Sequence, residues 1–201
     1  MTSGGTGAPG GPKDVDAELM ARVARGDLAA FDELYARHWS PVVRFARGFV
    51  GSEARAEELA QDVFVQVYKA RERWEPRARF TTWLYTIAHN RCSNERRRFD
   101  YRGRIGGLEN ESGEPLPYAD ERDLSGEERV STGELQTRLA GLLDGLPDGQ
   151  RSALLLSRVE GLRYREIAEV LDCSESAVKS LVFRATQSLR EGLKEWIEVE
   201  P

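Results

Sequence analysis

Two stretches of the chain concentrate residues suited to holding a polyanion. In the first, residues 80–98, Thr82, Trp83, Tyr85, His89, Asn90 and Ser93 precede the run Arg96-Arg97-Arg98. Arginines neutralise phosphates, aromatic rings such as Trp83 and Tyr85 stack on or wedge between unpaired bases, and Asn and His offer donors and acceptors to base edges. On a helix, Phe80, Leu84, Ile87, Ala88 and Arg91 share one face, while Thr82, Tyr85 or Thr86, His89, Ser93, Arg96 and Arg97 point elsewhere. The arginine run equally suits the negative end of a helix, so both readings stand at this point.

The second stretch, residues 164–178, has helix-turn-helix spacing: Ala168 is small enough for two helices to cross closely, and Val178, ten positions later, packs the second back on the first. Ser174 is placed to cap that second helix. Its apolar side, Val178, Leu181, Val182 and Ala185, leaves Glu175, Ser176, Lys179, Ser180 and Arg184 outward, a polar and partly basic set that suits the major groove. A structural αα-hairpin would share this spacing. Asp172 stands at the turn, where a left-handed backbone usually selects glycine and aspartate is among the residues that tolerate it. Earlier in the chain, Glu58, Gln61, Asp62, Val65 and Lys69 form a polar stripe around one exposed valine, a docking surface for a partner or a plain solvated face.

The elements that must position these residues are helical throughout. Apolar residues recur at three and four positions over 16–98 and 134–196, and period-two alternation is hard to find, so an all-α protein is expected. Val15, Leu19 and Val23 open one helix, which Gly26-Asp27 breaks. Phe31, Leu34 and Tyr35 start a second, expected to be interrupted at Pro41 before Val42, Phe45, Ala46 and Phe49 continue the period. Leu59, Val63, Phe64 and Val67 mark a third. Further on, Leu135, Leu139, Leu142, Leu143 and Leu146 form one amphipathic helix, and Leu154, Leu155, Leu156 and Val159 lie in the next, up to a stop at Glu160-Gly161.

Between the two helical parts the composition turns to Gly, Pro, Ser and acid. Residues 105–134 hold nine acidic residues against two arginines, whereas residues 91–104 hold six arginines against two acids. The net charge of −5 hides this asymmetry and does not exclude a nucleic-acid partner. The organisation expected is a disordered lead (1–15), a helical domain (16–100), an acidic flexible linker (101–131) and a second helical domain (132–197), with the placement of the two domains left open by the linker.

With 40% apolar residues the chain of 201 has enough to bury a core, and no apolar run approaches a membrane span. The lead holds five glycines and two prolines in residues 1–12 without the basic start and apolar centre of a signal peptide, so a cytoplasmic location is expected. Cys92 and Cys173 are far apart and read as small buried hydrophobes; with His38 and His89 the only histidines, no metal site, cofactor site or catalytic constellation stands out. An enzyme is not expected.

The order of these parts resembles an extracytoplasmic-function (group IV) sigma factor of bacterial RNA polymerase, in the sigma-70 family, with regions 2 and 4 and no region 3. Gly26-Asp27, Phe31 and Leu34-Tyr35 match region 2.1, and residues 58–64 match region 2.2. Phe80, Trp83-Leu84, Ile87-Ala88-His89-Asn90 and Arg96-Arg97-Arg98 match regions 2.3 and 2.4. Leu146-Pro147, Arg151, Glu166-Ile167-Ala168, Val178-Lys179-Ser180, Arg184-Ala185 and Leu189-Arg190 match region 4. The resemblance implies that Gln61, Asp62 and their neighbours dock on the clamp helices of the polymerase largest subunit and that region 4 sits on the flap of the second-largest. It further implies that residues 80–98 hold the melted −10 element, that residues 175–184 read the −35 element, and that an anti-sigma protein is a partner. Ala177, Leu181 and Thr186 stand where relatives often carry Thr, Arg and Arg, so this recognition helix is less charged than many. A conventional helix-turn-helix regulator acting without polymerase is the alternative; it would account for residues 147–190 and leave 16–98 unexplained.

Overall fold

The computed structural model describes residues 14–76, 78–105 and 126–199, and among these the chain forms eight α-helices, one 3₁₀ turn and no strand. Helices α1 (Val15–Ala24), α2 (Leu28–Val50) and α3 (Glu53–Ala70) each begin on a side-chain cap. Asp14 accepts from the Ala17 amide at 3.4 Å, Asp27 from Ala30 at 3.2 Å and Ser52 from Arg55 at 3.4 Å. Contrary to the interruption expected at Pro41, α2 runs straight through it. Proline removes one intrahelical donor, but Val42, Val43, Phe45, Ala46 and Phe49 beyond it are all buried, and their packing holds the helix together.

After a 3₁₀ turn at Arg71–Arg73, α4 (Phe80–Ile105) lays Phe80, Leu84 and Ala88 into the core formed with α2 and α3. It continues past position 100, and α5 (Gly126–Asp144) starts at 126, so both helices reach into the stretch read as linker. The remainder of that stretch and residues 1–13 lie outside the described residues. On α5, Leu135 and Leu139 remain largely exposed; the apolar stripe engages the fold only from Leu142 onward.

Helices α6 (Asp148–Arg158), α7 (Tyr164–Leu171) and α8 (Glu175–Val199) build the helix-turn-helix. Ile167, Ala168, Val170, Val178 and Val182 pack at its centre, and the Ser174 hydroxyl accepts from the Ala177 amide at 3.2 Å. The turn residue Asp172 is left-handed (φ 48°, ψ 54°), with its amide bonded to the Ala168 carbonyl. The two helical halves pack on each other. Leu155, Leu156, Ile167 and Val170 join Phe45, Phe49, Leu84 and Tyr85 in one continuous apolar cluster. At Gly48 the halves approach closely: a Cβ there would lie 2.5 Å from a Leu155 methyl. No helix among the described residues is long and apolar enough to cross a membrane.

Because Asp172 holds a conformation that strains its Cβ, Asp172→Gly is expected to stabilise the fold by about 0.5–1 kcal/mol and Asp172→Val to destabilise it by at least as much. Urea unfolding midpoints of the two variants give the check; equal midpoints would contradict the strain.

Candidate nucleic-acid interface

Helix α4 presents Thr82, Tyr85, His89, Ser93 and Arg96 as a single stripe, and the second half lies on it. The Tyr85 hydroxyl donates to Glu160 at 2.7 Å, and Arg44 from α2 grips the same carboxylate with two nitrogens at 3.1 and 3.2 Å. Arg79 reaches Glu166 at 3.0 Å, and His89 Nδ1 and the Ser152 hydroxyl are 2.7 Å apart. Arg96 donates to the backbone oxygens of Leu146 (3.0 Å) and Asp144 (2.6 Å) and stands 3.3 Å from the Asp148 carboxylate. The face read as free for a partner is thus largely covered: Thr82 and Tyr85 are 3% exposed and Ser93 is 1% exposed. The physical reason is charge and hydrogen-bond complementarity, since this side of the second half is lined with acceptors.

Two hydroxyls on the stripe, those of Thr82 and Ser93, are buried with no hydrogen-bond partner among the described residues. Burial, and then the Glu160 carboxylate, push the Tyr85 phenol well above its ordinary range. Burial opposes charge on Glu166, yet its bonds from the Arg163 amide and the Arg79 guanidinium hold its carboxyl below the usual value.

Asn90, Arg97 and Arg98 remain exposed and Trp83 is half-buried beside Phe80. Arg91, Asn94, Arg97 and Arg98 line an open groove of roughly 480 Å³, with Phe99 projecting nearby at 76% exposure. Arg91, expected on the apolar face, instead pairs with Asp62 of α3. The rest of the α3 stripe, Glu58, Gln61, Val65 and Lys69, is exposed as the periodicity requires, with Glu58 held by Arg55.

On α8, Glu175, Ser176, Lys179, Ser180 and Arg184 all face solvent, as does the capping Ser174. Between them stands Phe183, 65% exposed. It was missed in the sequence because an aromatic residue reads as core, although its position, opposite Val178, Val182 and Ala185 on the helical wheel, places it with the outward set. A bulky apolar ring on a polar recognition face is suited to a thymine methyl group. Cys92 is fully buried and burial pushes its thiol up to about 12, whereas Cys173 is half-buried and its thiol is raised less. Among the described residues no three His, Cys, Asp or Glu side chains are grouped to hold a metal ion.

Comparison with known proteins bears directly on this arrangement. Residues 34–100 match the family model for sigma-70 region 2, and residues 136–189 match that for sigma-70 region 4. The chain is 30% identical over 187 residues to the RNA polymerase sigma-H factor of Pseudomonas aeruginosa, covering 90% of this chain and 95% of that one. It is 33% identical over 181 residues to the RNA polymerase sigma factor CarQ of Myxococcus xanthus, covering 90% and 98%. Among solved structures it is similar to CnrH in complex with the cytosolic domain of CnrY, with a TM-score of 0.67 at 26% identity over 90% of this chain and 99% of that one. A likeness of fold extends to the sigma factor RpoE of Bartonella quintana bound to the anti-sigma factor NepR, with a TM-score of 0.62 at 24% identity, covering 85% and 98%.

His89 makes the contact between the halves sensitive to acid. Burial lowers its pKa, Asp148 acts against the shift and Arg97 adds to it. A histidine whose folded pKa is depressed binds fewer protons folded than unfolded. Stability is therefore full above the ordinary value of about 6.5 and falls as pH drops below it. The melting temperature is expected to fall more steeply between pH 7.5 and 5.5 for the natural chain than for His89→Asn; parallel curves would remove His89 as the cause.

Proposed function

Because this chain belongs to the sigma-70 family, as a sigma factor of the extracytoplasmic-function type, we propose a division of labour between its halves: residues 16–100 take the core polymerase and the −10 element, and residues 132–197 take the −35 element. Catalysis belongs to the polymerase, and this chain, working in the cytoplasm, supplies the promoter address. Gln61, Asp62, Glu58, Val65 and Lys69 form the face for the clamp helices. Trp83, Asn90, Arg97 and Arg98, together with the covered Thr82, Tyr85, His89, Ser93 and Arg96, hold the melted −10 strand. Ser174, Glu175, Ser176, Lys179, Ser180 and Arg184, joined by Phe183, lie in the major groove of the −35 element. An anti-sigma protein keeps the factor from polymerase until it is needed.

The observation that carries this reading is the presence, on one chain, of an outward-facing helix-turn-helix and a first half that bears both a polar α3 stripe and an aromatic, arginine-rich α4. A regulator that binds duplex DNA alone requires only the former. The direct test adds the purified chain to sigma-free bacterial core polymerase on fragmented genomic DNA of its host and maps the transcripts. Discrete start sites sharing two upstream elements are expected. Specific operator binding without polymerase, and no initiation with it, would establish the conventional regulator instead.

Two substitution sets follow. Gln61→Ala with Asp62→Asn is expected to weaken core binding at least tenfold while the circular dichroism spectrum is unchanged; undiminished holoenzyme assembly would remove this face from the docking site. Lys179→Ala and Arg184→Ala are each expected to lower the salt slope of −35 binding by about one, as loss of a phosphate contact does. Phe183→Ala is expected to leave the slope intact and relax the preference for thymine at one position. A uniform loss across all sequences would reassign Phe183 to packing.

A further inference from the structure

The seam between α3 and α4 carries a charge pattern of its own. Arg55, in the first turn of α3, reaches both Glu58 on its own helix and Glu95 on α4, and seven residues further along α3 Asp62 receives Arg91, which lies one turn before Glu95. Two residues of the α3 stripe, Glu58 and Asp62, are therefore already paired. Arg91 and Asp62 keep 35% and 47% of their side chains exposed, and a pair this open to water contributes little to folding. Its geometry is nonetheless specific. Nε of Arg91, at 3.1 Å, and Nη2 both donate to Oδ2 of Asp62, and Oδ1 accepts nothing from the described residues. A carboxylate gripped at one oxygen by two nitrogens has its other oxygen held in place and free to accept.

Arg91 also lines the basic groove with Asn94, Arg97 and Arg98, a position that suits a phosphate contact. The pairing speaks against that role. With two of its three nitrogens on a carboxylate, Arg91 has less to offer a phosphate than Arg97 and Arg98, which stand exposed. We propose that Arg91 is a positioning residue for polymerase docking: it fixes the Asp62 carboxylate so that Oδ1 is left for a donor on the polymerase. This rests on reading the α3 stripe as the docking face. Ordering the carboxylate before the partner arrives removes an entropic cost from binding. The support is rigid, because α4 is anchored around Arg91 by the buried Leu84, Ala88 and Cys92.

The test measures the affinity of the full chain, labelled with fluorescein at its N-terminus, for sigma-free bacterial core polymerase across a double-mutant cycle of Arg91→Ala and Asp62→Ala. Asp62→Ala is expected to weaken binding about tenfold and Arg91→Ala about threefold, with the double variant no weaker than Asp62→Ala alone, because Arg91 acts through Asp62. Arg91→Lys, a point charge in place of the fork, is expected to recover part of the loss. A loss from Arg91→Ala that persists in the Asp62→Ala background would show that Arg91 serves the fold of the seam, and would overturn the proposal. Full affinity in Arg91→Ala beside a weakened Asp62→Ala would overturn it too and leave the docking face standing, whereas full affinity in both would remove the face itself. A fall of about one in the salt slope of promoter binding by the assembled holoenzyme, with core affinity unchanged, would reassign Arg91 to a phosphate. If Arg91→Ala loses helical signal, Arg91→Gln, which keeps much of the aliphatic stem, takes its place in the cycle.

Discussion

A guanidinium sealed from water must find acceptors inside the protein, and Arg151 is such a group, with no exposed surface at all. It finds them on both halves: the Phe49 carbonyl at the end of α2 at 3.1 Å, the Asp144 carboxylate at 3.2 Å and the Leu146 carbonyl at 3.5 Å. The negative end of α2 thus receives a cation from α6. Burial, and then the neighbouring Arg96 cation, push the pKa of Arg151 down, and its Nε has no partner among the described residues. Removing one side of such a buried charged contact typically costs about 3–5 kcal/mol. By fixing the α5–α6 turn against the end of α2, this residue sets where Ser152 and Leu155 meet the first half and so aligns α6 and the Glu160 turn along α4.

The remainder of the contact follows from that placement. Tyr85, Arg44, Arg79 and Arg96 are donors in search of acceptors, and the second half supplies carboxylates and backbone oxygens at hydrogen-bonding distance. Apolar contact between Gly48 and Leu155 adds packing without direction. The same kinds of donor suit phosphates and bases, so a strand laid along α4 would compete with this contact.

Much of this was legible in the chain itself. Helical periodicity located the buried stripes of α2, α3 and α8, the break at Gly26-Asp27 falls between α1 and α2, and the capping Ser174 and the left-handed Asp172 stand where their chemistry predicts. Pro41 misled because a local rule about a missing amide was outweighed by packing on both sides of it. The burial of Thr82, Tyr85 and Ser93 was not legible at all. Contacts along this stripe join residues some 60 to 80 positions apart, as with Tyr85 and Glu160 or His89 and Ser152, and local pattern carries no information about such pairs. Phe183 was legible in position and was overlooked through its residue type.

The covered face of α4 has a consequence for how the factor is distributed in a cell. A genome offers about 10⁶–10⁹ non-specific sites, and an exposed row of arginines and aromatic side chains would be spread among them by electrostatics alone. A chain that keeps Arg44, Arg79 and Arg96 on its own carboxylates withholds much of that attraction. What remains lies at Arg97, Arg98 and the outward residues of α8, so the free chain offers a polyanion less than its count of arginines implies.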